Sequence, residues 1–295
     1  DFPSPDIRFL LAKKSVDDRA LNRYVFGTLA RELAKHPLDE PLRVLEIGAG
    51  VGTMLSRLME WRLFARARYT LLEPEETFLS YAPQWWKFWA KTWNASLERK
   101  REGVYIVRYG KQRVRARLRQ RTLEEHLQNA RKARYDLLIA HDVLHMLPMD
   151  TLLPALLRVL KPGGYLWFTA NFDGVTLCEP PFPEPEVETA ILSRYAAQHT
   201  PARHLIGFLR AQSDVHLRAA GSSDAVVYPE EGNTYPADER FYLTHFLEEI
   251  VSGDASDAAN AWRTHRLEDL ANGTLTCIQH RLDILAQLPS SAEGN

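Results

Sequence analysis

The sequence predicts an α/β fold in which helices cover both faces of a doubly wound, mostly parallel β-sheet. Apolar, β-rich segments alternate with segments of helical periodicity from residue 42 to about residue 171. The first apolar segment, Leu42–Ile47, runs directly into a glycine-rich turn. Because parallel strands joined through helices form right-handed βαβ units, these observations favour one open sheet.

Composition excludes several classes of protein. The chain has 295 residues, of which 45% are hydrophobic, and its 37 Lys and Arg against 38 Asp and Glu give a net charge of −1. That balance argues against a dedicated nucleic-acid-binding protein. Cys178 and Cys277 form no CxxC pattern, which disfavours a disulfide scaffold and a cysteine zinc site. No membrane span or export signal is expected, so we predict a cytoplasmic protein.

The N-terminal region is predicted to be an arm or lid over 1–37. Residues 1–10 contain two prolines and are expected to be extended. A helix is predicted over 15–35, with Ser15 as its N-cap and acidic residues in its first turn. An apolar residue recurs at every fourth position of this helix, as expected for one buried face.

The cofactor-binding core is predicted over 38–171. Its expected helices lie at 53–64, 75–93, 122–132 and 150–160. Its expected strands lie at 42–47, 69–72, 135–140 and 165–169, with a hairpin over 104–118 and a turn at 161–164. The proline at position 83 is expected to kink or interrupt the second of these helices.

The remainder of the chain is less regular. Residues 172–222 are predicted to be a substrate or lid segment, and 223–295 to supply the last two strands with a helical insertion that completes the same domain. The expected elements here are helices at 203–220, 238–251 and 256–271 and strands at 225–228 and 275–285.

The most informative segment is the turn that follows the first strand. Gly48, Gly50 and Gly52 alternate with small residues, and a helix is predicted directly after them. Glycine allows a tight turn and a close approach of backbone to a ligand, and the helix start presents free N–H groups. A dinucleotide fingerprint needs a small residue at position 53, where Thr53 stands, and the P-loop and kinase motifs are absent.

This segment resembles motif I of the class I S-adenosylmethionine-dependent methyltransferases, with Glu46 at its acidic position. The resemblance continues in order with Leu71-Leu72-Glu73, with 135–145 and with 158–166. It implies a Rossmann-like, seven-stranded, mostly parallel sheet with an antiparallel last strand and helical lid insertions. It also implies S-adenosyl-L-methionine as the cofactor.

The resemblance assigns the cofactor-binding residues. They are Glu46, Gly48, Ala49, Gly50, Gly52, Glu73, Pro74, His141 and Asp142. Glu73 ends the second strand, where a carboxylate can accept two hydrogen bonds from a ribose diol. The alternatives are a plain strand-to-helix turn for the glycines, a solvated strand end for Glu73 and a structural acid for Glu46.

One departure from the family concerns the adenine contact. Family members usually carry an acid after the third strand, but 114–122 contains none, and the next acid is Glu124. Adenine is expected to meet the backbone at Thr122 and Leu123, and no side chain is assigned to it.

Two further patterns have competing interpretations. Residues 99–121 hold ten Lys or Arg, and the arginines of 113–121 share one strand face. A charged, solvent-facing hairpin is favoured over an anionic substrate or nucleic-acid contact. Trp85, Trp86, Trp89 and Trp93 lie on one predicted helix, where core packing is favoured over an aromatic substrate wall.

The candidate catalytic residues follow the fourth strand. His141 and His145 lie at its carboxyl end, where open α/β sheets bind ligands. Histidine titrates near neutral pH and suits the removal of a proton from a methyl acceptor. His145 is favoured as the base, and a structural role for either histidine stays open. No metal site is expected.

The function predicted from these residues is methyl transfer from S-adenosyl-L-methionine to the O, N or C atom of a small molecule. Two alternatives stay open: an RNA or protein methyltransferase that uses the basic stretch 99–121, and a non-catalytic cofactor-binding partner protein. Neither nucleic acid nor a membrane is an expected partner, and the oligomeric state is left open.

Overall fold

The computed structural model describes residues 4–130 and 132–290. The chain divides into two compact units. The larger unit comprises Asn22–Thr169, His204–Gly221 and the chain from Asp283 onward. The smaller unit comprises the chain up to Leu21, Ala170–Arg203 and Ser222–Leu282.

The helices in chain order are α1 Pro5–Ala20, α2 Arg23–Leu33, α3 Thr53–Glu60, α4 Glu76–Thr92, α5 Leu123–Asn129, α6 Met149–Val159, α7 Pro185–Ala197, α8 Arg203–Arg210, α9 Glu239–Ile250 and α10 Asp257–Ala271. The strands are β1 Leu42–Ile47, β2 Arg66–Glu73, β3 Ser96–Arg101, β4 Val104–Tyr109, β5 Gln112–Gln120, β6 Tyr135–His141, β7 Leu160–Glu179, β8 His216–Ser222, β9 Ala225–Val227 and β10 Thr276–Gln287. A short 3₁₀ helix covers Leu144–Met146.

The strands follow the order β3-β4-β5-β2-β1-β6-β7-β10-β8, with β9 paired to β10. Strand β1 is parallel to β2 and β6, β2 is parallel to β5, and β6 is parallel to β7. The antiparallel pairs include β3–β4, β4–β5 and β9–β10. The predicted doubly wound, mostly parallel fold is confirmed, but the described residues form ten strands rather than seven.

Both faces of the parallel sheet in the larger unit are covered by helices. One apolar layer includes residues of α2, α3 and α4, among them Leu29, Leu55 and Trp86. The opposite layer includes residues of α5, α6 and α8. Strand β1 is buried at every position except Arg43, as expected for a strand covered on both sides.

The secondary structure expected for the N-terminal region was wrong. Residues 5–10 belong to α1, whose N-cap is Ser4, and residues 1–3 lie outside the described residues. Ser15 therefore lies inside a helix and is not its cap. The predicted single helix is two helices, because the Asn22 side chain accepts hydrogen bonds from the N–H groups of Tyr24 and Val25 and starts α2 afresh.

Other expectations for secondary structure were also wrong. The helix predicted over 203–220 ends at Arg210, and β8 follows it. The turn predicted at 161–164 lies within β7, which continues to Glu179. Helix α4 continues through Pro83. Strand β3 was not predicted, because its only apolar residue is Leu97.

The smaller unit has its own apolar core, in which Trp262 is fully buried. A buried polar network lies beside this core. The guanidinium of Arg281, 1% exposed, donates to Asp17 at 2.9 Å and to the Tyr242 hydroxyl at 2.8 Å. Lys13 donates to the same Asp17 carboxylate at 2.7 Å. One buried carboxylate thus contacts two buried cations. No helix among the described residues is long and apolar enough to cross a bilayer.

We expect Asp17→Asn to destabilise the smaller unit by about 3–5 kcal/mol, because it removes the buried carboxylate that both Lys13 and Arg281 contact. Urea unfolding followed by circular dichroism measures this loss.

Asp18→Asn is the matched control, because the neighbouring Asp18 pairs with Lys14 at a more exposed position. We expect that control to change stability by about 0–1 kcal/mol. Equal effects of the two substitutions would contradict the assigned role of Asp17.

Candidate functional site

The glycine turn connects β1 to α3 and has a conformation that other residues adopt rarely. The φ angles of Gly48, Gly50 and Gly52 are 64°, 50° and 75°. A Cβ atom on Gly48 would lie 2.9 Å from Cγ2 of Val143, and one on Gly52 would lie 3.0 Å from the Trp86 ring. Both the backbone conformation and the available space therefore require glycine at 48 and 52.

The turn is held to its neighbours by backbone and indole hydrogen bonds. The N–H of Ala49 donates to the carbonyl of Leu72 at 3.0 Å, and the N–H of Gly52 donates to the carbonyl of Ala49 at 2.8 Å. Nε1 of Trp86 donates to the carbonyl of Gly52 at 3.0 Å. The sequence predicted core packing for Trp86, but periodicity alone gave no signal for this bond.

Glu73 ends β2 and contacts the same turn. Its Oε2 accepts a hydrogen bond from the N–H of Gly50 at 2.8 Å, and its Oε1 accepts one from the N–H of Glu75 at 3.0 Å. Burial raises the pKa of Glu73, while these two hydrogen bonds oppose the rise. Each carboxylate oxygen has a second lone pair, so both can still accept from a ligand hydroxyl. Pro74, the next residue, is exposed.

Glu46 is a buried acid within β1. Its side chain is 2% exposed, and Oε2 has no hydrogen-bond partner among the described residues. Burial raises the pKa of Glu46 to about 8, against the lowering effects of the Tyr69 hydroxyl and the Arg57 charge. A buried acceptor atom without a donor is costly, and a cationic ligand group would satisfy it.

The predicted histidines lie at the end of β6. Nδ1 of His141 is 2.8 Å from Oγ1 of Thr169, and the N–H of Asp142 donates to the carbonyl of Thr169 at 2.9 Å. Asp142 has a φ of 53°. In the following 3₁₀ helix, Nδ1 of His145 lies 3.7 Å from Oδ1 of Asp142. Thr169 was not predicted, because nothing in a buried strand sequence marks it as a partner of His141.

These groups meet at one edge of the sheet. Strands β2, β1 and β6 are adjacent and parallel, with Ile47 beside both Leu72 and Ala140. Their carboxyl ends present Glu73, the glycine turn and the segment from His141 to His145. Open α/β sheets bind ligands at this edge. The close approach of Val143 to Gly48 joins the last two segments directly.

The structure also shows where the other predicted features lie. Thr122 caps α5, and its N–H donates to the Glu125 carboxylate at 3.0 Å. The proposed adenine contact there stays a prediction. Trp86 and Trp89 are buried and pack edge-on against Tyr105 and Tyr109. No group of three metal-ligating side chains occurs in the part of the chain that the structure describes.

Comparisons with known proteins identify the family and the fold. A family model described as a methyltransferase domain matches residues 18–179, more than half of the chain. A candidate methyltransferase from Bacillus halodurans has a similar structure, with a TM-score of 0.51 at 11% identity over 89% of this chain and 99% of that one. A candidate type II methyltransferase from Anaeromyxobacter dehalogenans gives a TM-score of 0.49 at 18% identity over 91% and 97%.

At such identities the structural likeness shows the fold alone, and no curated protein matches the sequence. The family model carries the assignment, because its match extends over β1, β2 and β6 and over the turns at their carboxyl ends. The chain therefore belongs to the methyltransferase domain family, as the class I, S-adenosylmethionine-dependent member that its motifs predict.

Proposed function

We propose that the protein transfers the methyl group of S-adenosyl-L-methionine to an O, N or C atom of a small molecule. One observation carries the proposal: three adjacent strands end in a glycine turn, a ribose-type acid and a His–Asp–His segment at a single edge of the sheet. Cofactor and base groups are thereby supplied from the same side.

The described residues fit this cofactor. When bound, S-adenosyl-L-methionine supplies a methyl group already activated by a sulfonium. Glu73 would hold the ribose hydroxyls, since its oxygens retain acceptor capacity beyond their two backbone hydrogen bonds. Glu46 would accept from the cofactor's ammonium through Oε2, which has no partner among the described residues. The glycines leave room for backbone to approach the ligand.

His145 is the favoured base. Nδ1 of His141 is engaged by Thr169 at 2.8 Å, whereas Asp142 lies 3.7 Å from Nδ1 of His145. At 3.7 Å the Asp142 carboxylate is beyond hydrogen-bond distance, and only its negative charge favours a proton on Nδ1, with the lone pair on Nε2. Nε2 of His145 would take the proton of an O- or N-acceptor as the methyl group arrives. The protein's remaining task is to align the acceptor with the donor.

A small molecule is favoured over a nucleobase as acceptor. Enzymes that methylate RNA bases often carry a short N/D-P-P-Y/F motif after the fourth strand of the family's fold. The corresponding segment here reads Ala140-His-Asp-Val143. The lid segments predicted over 1–37 and 172–222 and the insertion over 229–273 stay a sequence-based prediction for the acceptor contacts.

Gly50→Asp should abolish donor binding, because it places a side chain and a second carboxylate where the turn N–H meets Glu73. Calorimetry with S-adenosyl-L-methionine measures the loss, and circular dichroism shows whether the fold is kept. Gly110→Asp is the control: Gly110 also has a positive φ, of 55°, with open space around it. Unchanged affinity of the Gly50 variant would count against the site.

His145→Ala should lower turnover by roughly 10²–10⁴-fold, the usual contribution of a general base, with donor affinity nearly intact. The acceptor for this assay comes from a metabolite-extract screen with methyl-labelled donor. His204→Ala, at an exposed position of the same unit, is the control. Wild-type turnover in the His145 variant would reject the base. Donor binding without turnover on any acceptor would support the non-catalytic alternative.

Glu46→Gln should flatten the fall of thermal stability with rising pH. The pKa of Glu46 is about 8 in the folded protein and near 4.5 when exposed, so the folded state retains a proton that the unfolded state releases between those values. Stability of the wild type therefore falls from about pH 4.5 to pH 8. The melting temperature of variant and wild type is measured from pH 5 to 8.5. The same dependence on pH in both proteins would contradict this assignment.

A further inference from the structure

One face of β5 carries a row of arginines that the proposed reaction does not use. Val114 and Ala116 belong to the apolar core, and Arg113 and Arg115, which alternate with them, are exposed. Side chains alternate across a strand, so the arginines share the opposite face. The predicted charged hairpin of 99–121 is thus present. Its arginines also lie beside arginines of the neighbouring strands.

Arginines lie side by side on adjacent strands. Arg68 of β2 is in register with Arg43 of β1 on one side and with Arg115 of β5 on the other. Neighbouring strands are about 4.8 Å apart, and residues in register share a face. Three guanidinium groups therefore cross three strands in one row. Like charges placed in this way destabilise a sheet unless an anion compensates them.

A cavity of about 640 Å³ lies over this row. Its cationic lining residues are Arg43, Arg68, Arg115, Arg117, Lys132 and Arg134. A smaller cavity of about 140 Å³ shares Arg117 and Arg134 and adds Arg119 and Arg121. Neither set of lining residues contains an acid.

Nearby acids are already used elsewhere. Asp136 accepts from the backbone N–H of Arg43 at 2.7 Å and pairs with Lys161. Among the described residues, no carboxylate forms an ion pair with the guanidinium of Arg68 or Arg115. Burial and then the charges of Arg119 and Arg115 lower the pKa of Arg117, which shows that these cations repel one another. The surface therefore carries positive charge that its own acids do not balance.

We propose that this cavity binds the oligophosphate group of a small molecule. Guanidinium forks match phosphate oxygens in bidentate geometry, and several in one concave site match several phosphates. The volume lies within the range of small-molecule sites. The aromatic residues of the lining, Tyr69 and Tyr135, are 0% and 2% exposed, so no ring is available for the base stacking that single-stranded nucleic acids use.

The row of Arg43, Arg68 and Arg115 lies away from the cofactor edge, whereas Arg119, in register with Leu72, extends the smaller cavity toward that edge. Arg43 lies near the start of β1, and the five residues from Arg43 to Gly48 span about 17 Å of strand. Arg66, Arg113 and Arg108 form a second row in register, further toward the amino end of β2. The inference therefore stands independently of which acceptor is methylated.

Isothermal titration of the full chain with inorganic tripolyphosphate tests the proposal. We expect saturable binding that the double variant Arg68→Gln, Arg115→Gln weakens at least tenfold. The charge-matched control, Arg31→Gln with Arg62→Gln, alters two exposed arginines of the same unit outside the cavity and should bind as wild type. Equal weakening in both double variants, or none in either, overturns the proposal.

Further measurements keep the test decisive. The cavity double variant should melt no lower than wild type without ligand, since it removes like-charge repulsion. Should the double variant fail to fold, Arg115→Lys takes its place, because it keeps the positive charge but removes the bidentate guanidinium group. Unchanged binding in that variant contradicts phosphate recognition by Arg115.

Competition distinguishes the ligand source: orthophosphate should compete far more weakly than tripolyphosphate. Tighter binding of a twelve-residue oligouridylate, not displaced by tripolyphosphate, would overturn the small-molecule class.

Discussion

The bond between the N–H of Gly50 and the carboxylate of Glu73 is the constraint on which the functional edge depends. It ties a turn of three left-handed glycines to the end of the neighbouring strand. The indole of Trp86 fixes the far end of the same turn through the carbonyl of Gly52. With both ends held, the turn is in place before a ligand arrives, which lowers the ordering cost of binding.

Burial of ionisable groups at this edge makes a second contribution. Glu46 and Arg57 are 2% and 0% exposed, and their removal from water costs free energy, which for Glu46 appears as a pKa raised to about 8. A fold tolerates such groups where a ligand or a partner charge compensates them. The same reasoning separates the two regions of the larger unit: acids gather at the carboxyl ends of β1 and β2, whereas arginines gather along their amino halves.

The sequence predicted the parts of the molecule that are determined by the periodic spacing of apolar residues and by the glycine-rich turn. Strand β1, its turn and the acid after β2 followed from apolar patterning and from the motif. The break at Asn22 could not be predicted, because a side-chain cap competes with an uninterrupted helical pattern. Strand β3 was missed because its pairing with β4 overrides a charged composition. The partners of the site, Thr169 and Trp86, depend on tertiary contacts between distant segments, which no local pattern encodes.

The alternation along β5 also governs how the sheet assembles. Every second side chain of this strand is an arginine from 113 to 119, and those between them are apolar. A slip of one residue against β2 or β4 would turn four guanidinium groups into the apolar layer and expose the residues that fill it. Burial of these charges would strongly destabilise the shifted register. The alternating arginines therefore favour the native pairing of β5 over registers shifted by one residue.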